Sequence, residues 1–250
     1  MRLLLTNDDG IFSKGIETLF HALSLEHDVR VVAPETEQSA IGHAITMLEP
    51  LRVNVVNRNG RFFGHALKGT PADCVKIAVS ELMDTAPEMV VSGINIGANV
   101  GVDVIYSGTV SAATEAAVLG IPSIAVSIDS FAPDNLGVAA EFIPKLVALA
   151  AKEGLPPGVC LNVNVPDLPA EKIRGVRITR QGAQRYVEKY DRRIDPRNHV
   201  YYWLTNECVF RDKDPDSDSC ALASGFISVT PIHHDLTSHP ALERLKGWGL

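Results

Sequence analysis

A chain of 250 residues, 46% apolar and 21% charged, has the length and composition of one large domain with a full core, or one domain with a substantial extension. That excludes a disordered chain. The formal net charge of −7 excludes a global positive field for a nucleic-acid polymer or an anionic membrane, while leaving room for one small phosphorylated ligand in a local site.

Leu3-Leu4-Leu5 predicts a first strand, and Ile16, Leu19, Phe20 and Leu23 then recur at helical spacing. Val29–Ala33 predicts a second strand, stopped by Pro34. The runs 51–56 and 62–67 predict a hairpin pair around the turn signal Asn59-Gly60. Thr70-Pro71 reads as an N-cap followed by Pro at the first helical position, with Cys74, Val75, Ala78, Val79 and Leu82 on one face of the helix it opens. A buried strand at 89–92 runs into a Gly-rich loop. Thr109 or Ser111 then caps an alanine-rich helix ending before Gly120, and Ser123–Ser127 is another buried strand.

Past about residue 130 the character changes. Pro144 predicts a kink or a late start for a helix near 138–152. Strands follow at 159–165, 176–180 and 226–232, and the charged, Tyr-rich stretch 184–220 reads as a long exposed excursion. The alternation of apolar runs with helical periodicity is the pattern of βαβ units, so the fold class is α/β with a mostly parallel sheet. The division expected is a catalytic core over residues 1–130 and a C-terminal part over 131–250 that completes it.

Cys74, Cys160, Cys208 and Cys220 lie far apart, without a C-x-x-C pair, so neither a disulfide framework nor a zinc site is expected. The apolar run at the start is too short for a signal peptide or a membrane span, and no stretch reaches roughly 18 apolar residues. A cytoplasmic location is the resulting expectation, with no membrane partner.

In an open parallel sheet, ligands bind outside the carboxyl ends of the strands. The segments that follow the predicted strands are Thr6–Gly10, the polar loop 34–46 with Ser39, and Gly93–Gly97 running on to Ser107-Gly108-Thr109. Asp8 and Asp9 are adjacent carboxylates that repel one another unless a cation or hydrogen bonds compensate. With Ser39 and Asn95 on the same edge, they offer hard oxygen donors suited to Mg²⁺ or Mn²⁺ and not to structural zinc. Taken alone, Asp8-Asp9-Gly10 also fits a plain turn that caps the next helix. Ser107, the Gly108 amide and Thr109 precede a helix and form either an anion site or an ordinary cap. The spacing Gly93, Gly97, Gly101 fits neither a dinucleotide fingerprint nor a P-loop. His43 is either a proton donor or a solvated loop residue, and Lys68 either meets phosphate or solvent.

Four segments stand in an order and spacing that resemble the SurE family of survival-protein nucleotidases: LLLTNDDGI at 3–11, GTPADCV at 69–75, SGINIGANVG at 92–101 and YSGTVSAATEA at 106–116. TPIHHDLT at 230–237 is similar to the family's late strand. The resemblance implies a Rossmann-like core with helices on both faces, extended by a long hairpin within 184–220 and a swapped tail over 231–250. It also implies one divalent metal per subunit on Asp8, Asp9, Ser39 and Asn95, and hydrolysis of nucleoside 5′- and 3′-monophosphates. Family members are similar in forming dimers by tail exchange, and some form tetramers through the hairpin. Where many members carry Arg-Ser-Gly, this chain has Gln38-Ser39-Ala40, so an arginine for phosphate is absent at 38.

The mechanism expected has Asp8 as the firmer ligand and Asp9 orienting the attacking water. Asn95, Ser107, Gly108 and Thr109 hold the phosphoryl oxygens. The rivals are a haloacid-dehalogenase-like phosphatase, whose carboxylates stand two apart as D-x-D and not adjacent, and a nucleotide-sensing module without turnover.

Overall fold

The computed structural model describes residues 1–210 and 212–249, with side chains given for all of these except 206–210. The main sheet takes β1 (Arg2–Thr6), β2 (Asp28–Pro34), β3 (Arg52–Arg58), β4 (Arg61–Lys68), β5 (Met89–Ile96) and β6 (Ser123–Asp129). From the second half come β7 (Val159–Pro166), β8 (Val176–Ile178) and later β11 (Ile227–His233), while β9 (Arg185–Ile194) and β10 (Val200–Phe210) pair separately. The nine strands run in the order β3-β4-β2-β1-β5-β6-β7-β11-β8. From β4 to β7 every pairing is parallel. β3 and β11 are antiparallel to their neighbours β4 and β7. The fold is thus α/β with a mostly parallel sheet, and the C-terminal strands extend that sheet.

Alternation along β1 assigns the two faces. Leu3 and Leu5 pack with α1 (Lys14–Leu23) and α5 (Leu136–Glu153), whereas Leu4 packs with α2 (Pro71–Ile77) and α4 (Gly108–Val118). Helices therefore cover both faces. At α2, Thr70 and Asp73 exchange bonds in a capping box with Pro71 in the first turn, as its sequence predicts. One π-helical turn, Ala78–Leu82, continues it.

Three expectations need correction. α5 runs unbroken from Leu136 through Pro144, so there is no late start. A Pro inside a helix costs about 3 kcal/mol, and burial of Ala139, Ile143, Val147 and Ala150 against the sheet outweighs it. α4 is capped by Ser107, whose Oγ accepts from the Val110 amide at 3.1 Å, not by Thr109 or Ser111. Ser111 instead donates back to the Ser107 carbonyl, and Thr109 is turned to a different partner. Third, β5 does not stop at Ser92. It continues to Ile96 through a bulge, where Ser92 and Asn95 pair with Ala125 and Ser127. Gly93 (φ +141°) permits this, because a Cβ there would stand 2.4 Å from the Val126 carbonyl oxygen.

Cys74, Cys160 and Cys220 are free thiols, and the Cys208 side chain lies outside the described residues. Among the described residues, no helix is long and apolar enough to cross a membrane.

Gly15 carries the tightest contact between α1 and the sheet. A Cβ on it would stand 2.0 Å from the Ile94 carbonyl oxygen. Gly→Ala within a helix normally gains about 1 kcal/mol, but overpacking of this kind costs about 1–3 kcal/mol and wins here. We expect Gly15→Ala to lower unfolding free energy in urea titrations; an unchanged or raised midpoint would mean that α1 does not lie on the bulge this closely.

Candidate active site

The strand order reverses at β1, whose two neighbours are β2 and β5. The crevice beyond the carboxyl ends of β1 and β5 is therefore the switch point where doubly wound sheets take ligands. Asn7-Asp8-Asp9-Gly10 leaves β1 into it. The Asn7 Nδ2 ties this turn shut by donating to the Gly10 carbonyl at 3.0 Å and to Ser13 Oγ at 2.8 Å. Gly10 (φ +90°) supplies the left-handed step.

Asp8 is buried at the N-terminus of α4. Its Oδ2 accepts the Thr109 amide at 3.0 Å, and its Oδ1 accepts a short hydrogen bond from Thr109 Oγ1. Gly108 is the residue that lets the helix come this close, since a Cβ there would lie 2.9 Å from Asp8 Cβ. Burial pushes the Asp8 carboxyl above the ordinary carboxylate value, and the Thr109 and backbone donors draw it back only in part. Asp9 is half-buried, and its Oδ2 accepts from the Ile96 amide at 3.3 Å. Burial, then the Asp8 charge, push it up to about 7.

The second loop is hooked onto the first by the Gln38 amide, which donates to the Asp8 carbonyl at 2.8 Å. This brings Ser39 to the cleft, exposed and donating to Glu37. Ala40 follows at φ +54°, a conformation that favours glycine. Asn95 is half-buried, and its Nδ2 is committed to the Gly97 carbonyl at 2.7 Å, so its Oδ1 remains to face a ligand. Asp8, Ser39, Asn95 and Ser107 all line one cleft of about 770 Å³. Gly108 and Thr109 sit behind it, against Asp8.

His43 and Lys68 go elsewhere. His43 Nε2 meets Glu115 at 2.8 Å beside Lys76, and Lys68 reaches Glu49 at 3.6 Å. Thr109 is also reassigned in part, because its hydroxyl and amide both serve Asp8. Any reach from it to phosphate passes through that carboxylate. Sequence reasoning missed Asp103, Tyr106, Phe131 and the hairpin residues Arg185 and Tyr186 on the same cleft. Asp103 is pushed up to about 6 by burial and then by the Asp218 charge. Only Tyr106, adjoining Ser107 in the sequence, carried a signal of proximity.

The donor set suits a hard divalent cation: two carboxylates whose charge is incompletely compensated, a hydroxyl and an amide oxygen. Among the described residues, no three His, Cys, Asp or Glu side chains converge, so a cation here relies on neutral oxygens and water as well.

The family model for the survival protein SurE matches residues 3–188. This chain belongs to the SurE family. It is similar to a protein of Syntrophobacter fumaroxidans named 5′-nucleotidase SurE, at 71% identity with all of both chains covered. A protein of Syntrophus aciditrophicus with the same name is 51% identical, over 98% of this chain and 93% of the relative. The crystal structure of a SurE protein from Aquifex aeolicus is similar with a TM-score of 0.85 and 39% identity, covering 98% of each chain.

The raised Asp9 carboxyl has a consequence for stability. A group whose pKa rises on folding favours the folded state while protonated, and that contribution is lost as pH climbs from about 4 through about 7. In chelator, Asp9→Asn should therefore raise the melting temperature above that of the wild type at pH 8, with the gap closing towards pH 4. A wild-type protein that is the more stable of the two at pH 8 would mean that Asp9 is compensated by the fold itself.

Proposed function

We propose that this protein is a metal-dependent phosphomonoesterase that hydrolyses nucleoside 5′- and 3′-monophosphates to nucleoside and phosphate. The observation that carries the reading is that Asp8, Ser39 and Asn95 line the switch-point cleft, with Asp9 held beside them by the amide of Ile96, another residue of the lining. The names of the relatives that are 71% and 51% identical support the nucleotidase class. Asp8, Asp9, Ser39 and Asn95 would hold one Mg²⁺ or Mn²⁺. When bound, the cation supplies Lewis-acid neutralisation of the phosphoryl charge.

The chain's own residues do the rest. Thr109 and the start of α4 fix Asp8 in one orientation, which pre-organises the site instead of leaving it to collapse on binding. Asp9 spends one oxygen on the Ile96 amide and keeps the other to orient and take a proton from water attacking phosphorus. Ser107 lies on the cleft wall, where its hydroxyl can donate to a phosphoryl oxygen, and Asn95 Nδ2 has a second hydrogen to donate besides the one given to Gly97. Asp8 is a poor covalent nucleophile here because both its oxygens already accept from Thr109, which favours direct attack by water over a phospho-aspartate. The three free thiols accord with a cytoplasmic setting.

Assembly belongs to the same reading. α7 (His239–Lys246) leaves Leu242 and Leu245 exposed, and Leu236 and Trp248 beside it are 94% and 61% exposed. The β9–β10 hairpin exposes Tyr190, Ile194, Tyr202 and Trp203. Burying such side chains is worth roughly 1.5–3 kcal/mol each, which favours a partner, and a second copy of the chain fits both elements. The proposed state is a homodimer joined by its tails, with the hairpin available for a tetramer.

Phosphate release from AMP with Mn²⁺ or Mg²⁺ is the expected result, lost on chelation and restored by either ion. Asp8→Asn should lose on the order of 100-fold or more in kcat, the scale for removing one electrostatic stabiliser, with an unchanged circular dichroism spectrum. Full turnover after exhaustive chelation would end the metal mechanism. Separately, deleting 240–250 should weaken the dimer in analytical ultracentrifugation; full-length protein sedimenting as a monomer at micromolar concentration would end the assembly reading.

A further inference from the structure

The cleft holds more than a phosphate needs. Its volume of about 770 Å³ is in the range that encloses a whole small ligand. Beyond the polar residues around Asp8, its lining turns aromatic with Tyr106, Phe131 and Tyr186. Phe131 is 83% exposed, an unusual state for a phenyl ring unless something covers it. It follows the carboxyl end of β6, two residues beyond Asp129. Its ring also lies on the Gly97 backbone, where a Cβ would stand 3.1 Å from Phe131 Cε1. Gly97 in turn accepts the Asn95 side chain through its carbonyl, so one loop carries a phosphate-end residue and backs the ring.

Tyr186 reaches the same cleft from the hairpin. It shares the lining with Phe131 and Asp103, and burial, then the charges of Asp103 and Asp129, raise its phenol above the ordinary value. Two aromatic side chains from separate elements thus line the cleft that Asp8 and Asn95 also line.

We propose that Phe131 is the stacking platform for the base of the substrate, with Tyr186 as the second aromatic wall, so that these residues set the preference for nucleotides over other phosphomonoesters. A purine or pyrimidine offers a flat π face that stacks on an aromatic side chain whatever its edge pattern. The inference rests on the nucleotidase reading and adds how the nucleoside is chosen.

The test compares kcat/KM for AMP with that for ribose 5-phosphate, which carries the same phosphoryl group without a base. Phe131→Ala should cut the AMP-to-ribose-5-phosphate ratio roughly 10- to 100-fold, the scale of one base–aromatic stack. The loss should appear chiefly in KM for AMP, Phe131→Trp should restore it, and Tyr186→Ala should lower the ratio less. Phe131 is exposed, so the variant should fold, which its melting temperature checks. A ratio that stays constant in both alanine variants overturns the proposal, whether both substrates weaken together or neither does. If the wild type hydrolyses neither compound, the nucleotidase reading fails. Equilibrium dialysis of AMP then decides the platform on its own: equal binding by wild type and Phe131→Ala overturns it, and weaker binding by the variant supports it.

Discussion

The carboxylate of Asp8 at the N-terminus of α4 is the contact on which the rest of the site depends. Burying an ion costs several kcal/mol, while a hydrogen bond to a charged group returns roughly 1.5–3 kcal/mol. The Thr109 amide and hydroxyl, with the positive end of the helix, return much of the cost but not all of it. Both Asp8 and Asp9 stay above their ordinary values for this reason. The compensation comes from dipoles fixed in the fold, and the cleft they face is lined by Asp103 and Glu188 as well as by Arg185. The cation proposed for this site would supply what the dipoles leave uncompensated.

Local signals were legible in the sequence wherever a single residue decides a backbone state. Thr70-Pro71 opened α2 and Asn59-Gly60 turned β3 into β4 as read. Asp8 and Asp9 were legible because two adjacent carboxylates after an apolar strand require an explanation. Pro144 did not delay the start of α5, because propensity is local, whereas the burial that holds the helix comes from the sheet. The cap of α4 was misplaced because the sequence shows three hydroxyls in five residues and not which one faces Asp8. Asn95 was expected in a loop because a bulge has no sequence signature beyond a glycine. Phe131 and Tyr186 belong to segments without motifs, and only the tertiary fold brings them to the cleft.

The second loop shows how polar contacts replace regular structure. Residues 35–51 carry no strand or helix, yet Gly42 donates to the Tyr106 carbonyl and Thr70 Oγ1 to the Ala44 carbonyl. Thr46 donates to Asp73, the same carboxylate that closes the α2 capping box. Glu115, held below the ordinary value first by His43, anchors His43 and Lys76 together. His43 therefore acts in this structure as a fastener of the loop that carries Ser39. That loop is attached to Asp8 through the Gln38 backbone amide, a bond that needs no particular side chain.

A second buried carboxylate, Asp218, gathers backbone amides behind the loop that follows β5. Asp218 accepts from the Gly101, Gly182 and Ser219 amides at 2.9, 3.0 and 2.7 Å. Its two sides join the loop after β5 to the root of the hairpin, where the Val102 amide also donates to the Gln184 carbonyl at 2.8 Å. Between the two carboxylates, Asn164 Oδ1 accepts the Asn99 amide, while Asn162 and Asn164 donate to its carbonyl. This accounts for two asparagines in the otherwise apolar β7. Asparagine fits because it satisfies a buried backbone carbonyl and amide without adding charge. The segment from Asn95 to Thr109 is thereby fixed at its start, middle and end. A two-stranded hairpin is marginal on its own, and this one depends on the same loop that presents Asn95 and Ser107. Whatever holds the hairpin in place then also bears on the geometry of the cleft.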